Sequence, residues 1–394
     1  MAPFTPVVCD TGTGVIKAGV AAAGCREPSL ELPNLLGRPT LRYDQGLGDG
    51  SKLSDIVVGD AANSNRSVLQ LSRPIKDGVV HNWDDMEAIW DHVFERLRIV
   101  PAECRIVQTE AALNQKRNRE RIVETMFERF NFDGVNVSVQ ALLALNSQGL
   151  ETGLVVDSGD GVTHLVPVTQ GYLEPALVHR MNLAGRHVTE QLMKQLVGAG
   201  HPLNASSDLE TVREVKQRLC YVALDPAAER RLASETTVVE KQYQLPDSRQ
   251  IRVGAERFLA PEILFTPGLH DGSDMKGVAE SVFETIRKSD IDVQRDYFQH
   301  IVLSGGSTMF PGFSSRLERD LKSFYEARVT HGERRVSKFR CHVEDPPRRQ
   351  HMVFHGASIL ASCQPAESQW WMTRKEYNEV GSAAVHRLIQ TRLS

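Results

Sequence analysis

Residues 6–14 of the chain read Pro6-Val7-Val8-Cys9-Asp10-Thr11-Gly12-Thr13-Gly14. The apolar run before Asp10 is typical of a short buried strand, and the carboxylate follows where that strand ends. Gly12 and Gly14 permit positive φ angles and a close approach of the backbone to a ligand. Successive amide groups of such a turn can form a concave site for an anion. The stretch therefore predicts a strand that leads into an anion-binding glycine turn.

The same layout recurs in the middle of the chain, as Gly153-Leu154-Val155-Val156-Asp157-Ser158-Gly159-Asp160-Gly161. Each copy has an apolar run, an aspartate, a hydroxyl residue, a glycine, any residue and a second glycine. One copy alone is weak evidence, because a glycine-rich hairpin without a ligand has the same letters. Two copies indicate two similar half-molecules, each of which offers a loop to a shared ligand.

Two classes of protein carry paired turns of this kind. In aspartic proteases the two carboxylates share a proton, whereas in actin-like and sugar-kinase-like ATPases the two hairpins clasp the phosphates of ATP. Strands alternate with amphipathic helices in both halves of this chain, which favours an α/β architecture over the nearly all-β proteases. Residues 301–308, Ile-Val-Leu-Ser-Gly-Gly-Ser-Thr, form a third strand and glycine turn ahead of a helix, as in nucleotide sites. The pattern favours the ATPases.

Composition restricts the function further. The 394 residues suffice for two sizeable domains, and the net charge of −4 argues against a nucleic-acid-binding role. The sequence contains neither a long apolar run nor an N-terminal signal peptide. The six cysteines are scattered without metal-type spacing, and most lie beside apolar residues, as core thiols do. We expect a cytosolic protein with reduced cysteines.

Helical periodicity predicts helices around the glycine turns. One helix is predicted to begin at Asn82, and another at a capping box in residues 207–210, with Lys216 and Gln217 on its exposed side. Residues 273–288 are predicted to form a further helix, and the next is predicted to be capped at Ser315.

Three further polar features of the sequence bear on the site. Lys17 lies three residues beyond Gly14, where it is either a phosphate-binding lysine or a solvated strand residue. Gln140 lies at a strand–helix junction that is a candidate hinge. The glycine-rich run at residues 44–51 is typical of a mobile surface loop.

These motifs together resemble the actin family from end to end. The two phosphate loops of that family are similar to residues 10–14 and 157–164, and its adenosine motif is similar to residues 301–311. Two further stretches close to actin are residues 82–87 and 219–225. Stretches that differ from actin itself resemble the actin-related branch that nucleates branched filaments; they are residues 337–340, 344–354 and 371–377.

The resemblance implies an actin-like fold: a bilobed α/β ATPase, built on a duplicated ribonuclease H-like unit, with a nucleotide cleft between the two halves. The implied first lobe spans residues 1–147, includes a mobile small subdomain at about 36–71, and is completed by residues 341–394. The implied second lobe spans residues 148–340 and carries an inserted subdomain at about 184–269.

The resemblance also implies ATP and Mg²⁺ as cofactors. Asp10 and Asp157 would hold the hydrated Mg²⁺ through water. Gln140 and His164 would position the attacking water for a slow hydrolysis that acts as a conformational timer. The implied cofactor-binding residues are Thr11, Gly12, Thr13, Gly14, Val15 and Lys17 in the first hairpin, Asp157, Ser158, Gly159, Asp160, Gly161 and Val162 in the second, Lys216 and Gln217 beside the ribose and adenine, and Gly305, Gly306, Thr308 and Met309 at the nucleoside.

Three positions depart from the family pattern. Thr11 stands where the family has Asn, Gln217 where it has Glu, and Gln350 where it has Lys. The last two changes remove charges at the nucleoside end, whereas the phosphate-end residues remain. We expect ATP binding to survive, with a weaker affinity or less selectivity for adenine.

The implied function is that of an ATP-binding subunit in the complex that nucleates branched actin filaments. The implied partners are actin-related protein 3, the smaller subunits of the same complex, actin and nucleation-promoting factors, with neither nucleic acid nor membrane insertion. Nucleotide-linked closure would let the chain imitate an actin subunit at a filament end. Two alternatives stay open: a divergent actin that polymerises by itself, and a small-molecule kinase of the same superfamily, which would need an added catalytic carboxylate.

Overall fold

The computed structural model describes residues 4–22, 24–39, 56–203, 208–246, 248–330 and 339–388. Strands and helices alternate along the chain, as the predicted α/β class requires. The chain separates into two compact units. Unit 1 comprises Met1–Thr152, Val168–Val178 and Gln350–Ser394, and unit 2 comprises Gly153–Pro167 and His179–Arg349.

The described strands and helices are numbered here in chain order. The strands are β1 Thr5–Thr11, β2 Val15–Val20, β3 Leu30–Pro33, β4 Leu36–Pro39, β5 Val57–Val58, β6 Leu69–Ser72, β7 Ile75–Lys76, β8 Val79–Val80, β9 Cys104–Glu110, β10 Gly134–Val139, β11 Gly153–Ser158, β12 Thr163–Thr169, β13 Tyr172–Leu173, β14 His179–Met181, β15 Lys241–Gln244, β16 Gln250–Val253, β17 Ile301–Ser304, β18 Val343–Glu344 and β19 Met372–Thr373. The α-helices are α1 Asp60–Ser64, α2 Trp83–Leu97, α3 Lys116–Glu124, α4 Gln140–Ser147, α5 Gly185–Gly198, α6 Asp208–Leu219, α7 Pro226–Glu235, α8 Glu256–Leu259, α9 Gly268–Asp271, α10 Val278–Lys288, α11 Ile291–Gln299, α12 Phe313–Arg328, α13 Met352–Cys363 and α14 Arg374–Val380. Short 3₁₀ turns are Pro101–Glu103, Pro175–Leu177, Pro261–Leu264, Gly306–Met309, Arg349–His351 and Ser382–Leu388, and Thr125–Arg129 is a π-helical turn.

The central sheet of unit 1 has the strand order β19-β10-β9-β1-β2-β3. The first hairpin pairs β1 with β2 antiparallel and sets Asp10 opposite Lys17. Parallel strands β9 and β10 follow on the other side of β1. The apolar run Val7, Val8 and Cys9 is fully buried. The carboxyl ends of β1, β9 and β10 therefore meet at one edge of the sheet, where α/β folds commonly bind ligands.

Helix α2 illustrates how local signals in the sequence set an element. Asn82 is its N-cap, and the Asn82 side chain accepts a hydrogen bond from the Asp85 amide at 3.2 Å. The helix ends at Arg98, which has a left-handed φ of 54°. Met86, Ile89, Trp90, Val93 and Phe94 line its buried face. The predicted helix start at Asn82 is confirmed.

The main sheet of unit 2 contains β12, β11, β17 and β18 side by side, with β14 also paired to β12. Strand β11 runs parallel to β17, and Asp157 lies beside Ser304 in their register. Strand β12 continues into the antiparallel hairpin with β13. The core packed on this sheet includes Leu154, Val156, Leu192, Val212, Val282 and Leu303. Both glycine-turn motifs of the second half therefore end adjacent strands of one sheet.

Several predicted boundaries need correction. The helix predicted for residues 273–288 begins at Val278. Gly277, the residue before this helix, packs against the backbone of Phe265. A Cβ added to Gly277 would lie 1.8 Å from the Phe265 carbonyl oxygen. The helix predicted to be capped at Ser315 begins earlier, at Phe313, after Gly312 turns the chain with a φ of +85°. Ser207 of the predicted capping box and the loop at residues 44–51 lie outside the described residues.

The cysteines are all free, and Cys9, Cys104, Cys220 and Cys341 are buried as predicted for core thiols. Cys25 is half-buried, and Cys363 is exposed. In the part of the chain that the structure describes, every helix is too short or too polar to cross a membrane.

Candidate functional site

The first hairpin ends in a buried carboxylate held by two neighbouring strands. Asp10, at the end of β1, accepts hydrogen bonds on Oδ1 from Thr109 Oγ1 at 2.7 Å and from Gln140 Nε2 at 3.0 Å. Thr109 is near the end of β9, and Gln140 begins α4 directly after β10. The arrangement orients the Asp10 carboxylate at the strand edge. It also fixes the amide of Gln140, so that its carbonyl oxygen can accept a hydrogen bond from a further group.

The turn of the first hairpin is tight because Gly12 has no side chain. Its amide donates to Val15 O at 3.2 Å, and an added Cβ would lie 2.7 Å from that same oxygen. Asn34 holds the turn from outside, since its side-chain amide donates to Gly12 O at 2.8 Å and its backbone amide donates to Gly14 O at 3.0 Å. The Thr13 hydroxyl accepts from the Gly78 amide at 3.1 Å, which leaves its proton able to bind an anion.

Lys17 on β2 lies beside this turn and is only slightly exposed. Its ammonium donates to the backbone carbonyl of Gln350 at 2.6 Å and lies 3.8 Å from Asp10 Oδ2. Because the contact at position 350 is made by backbone, the Gln350 substitution does not remove it. The Lys17 charge is thus kept at the same sheet edge as the Asp10 carboxylate.

Thr11 is also predicted to bind the cofactor, but its hydroxyl points toward the neighbouring strand β9. Thr11 Oγ1 donates to Gln108 Oε1 at 3.1 Å, and the Thr11 amide donates to Thr109 Oγ1 at 3.3 Å. Both the hydroxyl and the amide of Thr11 are therefore bound within unit 1. The departure from Asn at this position affects a contact within the unit.

The second hairpin closes with the same hydrogen bond as the first. The Gly159 amide donates to Val162 O at 3.1 Å, which corresponds to the Gly12 amide and Val15 O. The Ser158 hydroxyl binds the Thr163 hydroxyl at 2.8 Å and is buried, as are Gly161 and Val162. The predicted duplication thus extends from the sequence to the backbone geometry.

Elements far away in the sequence surround the second hairpin. Gly159 O accepts from the Gly185 amide at 3.1 Å and from Ser307 Oγ at 2.6 Å. Asp160 O accepts from the Arg186 amide at 2.8 Å, and the Asp160 carboxylate lies 3.1 Å from the Arg213 guanidinium. Sequence reasoning missed Gly185, Arg186 and Arg213 because they carry no motif of their own, and it gave Ser307 no role although this residue lies in the third glycine turn. A glycine at the start of α5 was the one available signal.

The structure corrects the predicted exposure of Lys216. Its side chain is 7% exposed, on the same face of α6 as Val212 and Val215, and its ammonium donates to Gly185 O at 2.7 Å. Burial lowers the pKa of Lys216 to about 8, although nearby Asp160 acts in the opposite direction. Gln217, one residue further, is exposed as predicted.

The third glycine turn contacts the second hairpin directly. Gly305 has a φ of +87°, and a Cβ there would lie 2.3 Å from Ser158 O, so only glycine fits. Thr308 is buried, and its hydroxyl donates to Gly305 O at 2.8 Å. Gly306 is exposed, and Met309 is half-buried. Gly306 and Met309 are therefore accessible to a ligand, whereas the Thr308 side chain holds the turn together.

His164 on β12 is a buried, neutral imidazole. Burial, together with a smaller effect of the nearby Arg180 charge, lowers its pKa to about 4. Its Nε2 atom is buried and has no hydrogen-bond partner within the described ranges. An unsatisfied buried nitrogen is costly, so a ligand or water at this position would restore the missing hydrogen bond.

Comparison with known proteins identifies the family. Residues 1–390 match the family described as Actin. The chain belongs to the actin family. Actin-related protein 2 of Arabidopsis thaliana is 47% identical over 386 residues, which are 98% of each chain. Actin-related protein 2 of Acanthamoeba castellanii is 46% identical over 383 residues, 97% of this chain and 98% of that one, and that of Oryza sativa subsp. japonica is 49% identical over 386 residues, 98% of each.

Membership in the actin family confirms the predicted fold class, and proteins of the actin family bind ATP with a divalent cation. The described residues contain no cluster of three His, Cys, Asp or Glu side chains that would form a direct metal cage. Asp10 nevertheless supplies a buried carboxylate with hard oxygen atoms, which suit a Mg²⁺ ion that keeps several waters. Turns that exclude Cβ atoms and an unsatisfied His164 nitrogen likewise fit a nucleotide.

Proposed function

We propose that this chain is the ATP-binding subunit of an actin-related protein 2/3 complex, which nucleates branched actin filaments. The subunit assignment rests on identities of 46–49% to actin-related protein 2 over 97–98% of the chain. The nucleotide assignment rests on one geometric observation: in both hairpins an aspartate is the penultimate residue of the first strand, and a glycine amide closes the turn on a valine carbonyl.

In this proposal the phosphates bind to the hairpins. The amides of the first turn, the Thr13 hydroxyl and Lys17 offer positive charge and donors, and the second hairpin offers the amides of residues 160–162. Asp10 and Asp157 hold the hydrated Mg²⁺ through water, and the ion neutralises phosphate charge. Gly305, Gly306 and Met309 receive the nucleoside, with Lys216 and Gln217 near the ribose and adenine.

Gln140 and His164 orient the water for hydrolysis. The amide nitrogen of Gln140 is held by Asp10, so its carbonyl oxygen is the atom that accepts a hydrogen bond from the attacking water. His164 is neutral at pH 7 because of its low pKa and offers an uncharged ring nitrogen. Neither residue is a strong base, and slow turnover through positioning follows. A slow step of this kind serves as a timer for a nucleotide-linked conformational change.

The proposed partners are actin-related protein 3, the smaller subunits of the complex, actin and nucleation-promoting factors, in the cytoplasmic actin cytoskeleton. Gentle purification of the tagged full chain from its own cells tests this assignment. A discrete particle with actin-related protein 3 and smaller subunits is expected. Recovery as self-assembled filaments would favour the divergent actin, and recovery as a lone phosphotransferase would favour the small-molecule kinase.

A variant of the second hairpin tests the nucleotide site. Asp157→Ala should abolish Mg²⁺-dependent ATP binding, because the carboxylate that would hold the hydrated ion is lost. Titration of the purified chain with ATP, with and without Mg²⁺, measures the effect. Asp274→Ala removes an exposed carboxylate of the same unit and should bind as wild type does. Unchanged binding by Asp157→Ala would reject the site.

A further inference from the structure

Arg349 is a buried arginine in the stretch of residues 344–354, and the sequence predicts no role for it in the site. Its side chain is 7% exposed. Nε donates to Thr308 Oγ1 at 3.0 Å, and one terminal nitrogen donates to Thr308 O. The other terminal nitrogen donates to Asp345 O at 3.3 Å. The guanidinium therefore grips both the side chain and the backbone of one residue in the third glycine turn.

The acceptors of this guanidinium are unusual for a buried charge. Arg316, another buried arginine of unit 2, forms two hydrogen bonds to the Glu262 carboxylate, at 2.9 and 3.0 Å. The hydrogen bonds of Arg349 to described residues go to a hydroxyl and to backbone carbonyls instead. Burial accordingly lowers the pKa of Arg349, although an arginine stays charged at pH 7. Burial of a cation costs free energy. Since Arg349 has no hydrogen bond to a carboxylate among the described residues, its burial calls for an explanation other than ion pairing.

The contacts continue from Arg349 into the turn. Thr308 Oγ1 accepts from Arg349 and donates its own proton to Gly305 O at 2.8 Å. Gly305 in turn has a left-handed φ and touches Ser158 O of the second hairpin. One guanidinium thus sets the Thr308 rotamer, and the Thr308 rotamer sets the carbonyl of Gly305. The exposed Gly306 lies within this restrained segment.

We infer that Arg349 is a positioning residue for the nucleoside: it holds the turn of residues 305–309 in the shape that receives the ligand, without touching the ligand itself. The inference rests on the proposed ATP site and adds a residue to it. Preorganisation of this kind lowers the cost of binding. The hydrogen bonds of Arg349 to described residues reach Thr308 in the third turn and no residue of either hairpin, so its loss should weaken binding of the nucleoside more than binding of the phosphates.

The test compares Arg349→Lys with Arg316→Lys in the full chain with Mg²⁺. Lysine cannot bind the Thr308 hydroxyl and carbonyl as a fork. Displacement of fluorescently labelled ATP gives the Kd of ATP, ADP and inorganic tripolyphosphate. Arg349→Lys should raise the Kd of ATP and ADP roughly tenfold, the loss typical of a hydrogen bond to a charged group. The Kd of tripolyphosphate should stay within about twofold. Arg316→Lys should lower the unfolding midpoint without this difference between ligands.

A second variant covers the case in which Arg349→Lys does not fold. Thr308→Val keeps the volume of the side chain but removes the hydroxyl. It should raise the Kd of ATP and ADP as Arg349→Lys does, without a comparable change in the Kd of tripolyphosphate. An unchanged ATP affinity in the folded variants would overturn the inference, as would an equal loss for tripolyphosphate. Wild-type protein that binds tripolyphosphate and ATP equally well would also overturn it, because no nucleoside contact would then exist. A wild-type chain that binds no ATP at all would instead overturn the proposed function and the inference together.

Discussion

Burial shifts the pKa values of two side chains of the candidate site away from those of the free amino acids. Desolvation lowers the pKa of His164 to about 4 and that of Lys216 to about 8. His164 lies on the return strand of the second hairpin, and Lys216 donates to Gly185 O, while the Gly185 amide donates to Gly159 O of that hairpin. The pKa values in this part of the molecule therefore depend on the folded structure, and the free energy of unfolding should change with pH in a predictable direction.

Lowering the pH from 7 to 5 should destabilise the folded chain through His164. The unfolded imidazole takes up a proton near its ordinary pKa of 6.5, whereas the folded one does so near 4. The unfolded state binds more protons in this window, so stability is lost as the pH falls, by about 2 kcal/mol at pH 5. His164→Gln should lose correspondingly less. Denaturant unfolding at both pH values measures the difference.

The matched control for this comparison is His81→Gln, at an exposed histidine of unit 1. It should show the same change of unfolding free energy between pH 7 and pH 5 as wild type. A His164→Gln variant with an undiminished pH dependence would show that this imidazole is protonated equally in both states.

Elements of the fold meet at glycines where backbone contacts backbone. Helix α13 packs on α4 at Gly356, where an added Cβ would lie 1.9 Å from Leu143 O. Since neither backbone can retreat without moving a whole helix, the absence of a side chain sets the distance between the two helices. Leu143 lies in the first turn of α4, three residues after Gln140, the first residue of this helix. The packing of α13 therefore supports a residue of the candidate site.

Gly356→Ala should lower the free energy of unfolding by about 2 kcal/mol, because overpacking outweighs the better helix propensity of alanine. Gly198→Ala is the matched control, at the last residue of α5, where nothing lies within 4 Å of an added Cβ. The control should be neutral or stabilising by up to about 1 kcal/mol. Denaturant midpoints of the two variants decide the point. Equal midpoints would mean that the helices move apart at little cost.

At the scale of the whole molecule, each unit carries a strand with an aspartate as its penultimate residue, followed by a closed glycine hairpin. If both half-sites bind the same ATP, the ligand must stabilise both units. Ligand at a hundred times its Kd stabilises the folded state by about 2.7 kcal/mol. The distribution of that stabilisation over the two units is measurable.

ATP with Mg²⁺ should slow amide hydrogen exchange in β1 and β2 of unit 1 and in β11 and β12 of unit 2. Asp157→Ala should remove the protection from both units, although it changes only unit 2. Hydrogen-exchange mass spectrometry of the purified chain measures this. Protection that survives in β1 and β2 of the variant would mean that the two hairpins bind independently.

The amino-acid sequence alone determined the features that depend on neighbouring residues. The apolar runs predict β1 and β11, the glycines predict the two turns, and Asn82 predicts the start of α2, since strand burial, turn geometry and capping act over a few residues. The helix starts predicted at Ser273 and Ser315 are wrong. The true starts follow Gly277 and Gly312, which lie against the carbonyls of Phe265 and Val222, residues distant in the sequence.

Tertiary structure alone decided which distant groups complete the site. Lys216 is buried because α6 packs against the start of α5, and Gly185, Ser307 and Arg213 reach the second hairpin from three separate elements. Lys17 binds the carbonyl of Gln350, 333 residues away, and Arg349 binds Thr308. Such contacts leave no local pattern, because they depend on how packed elements are placed in three dimensions and not on the spacing of residues along the chain.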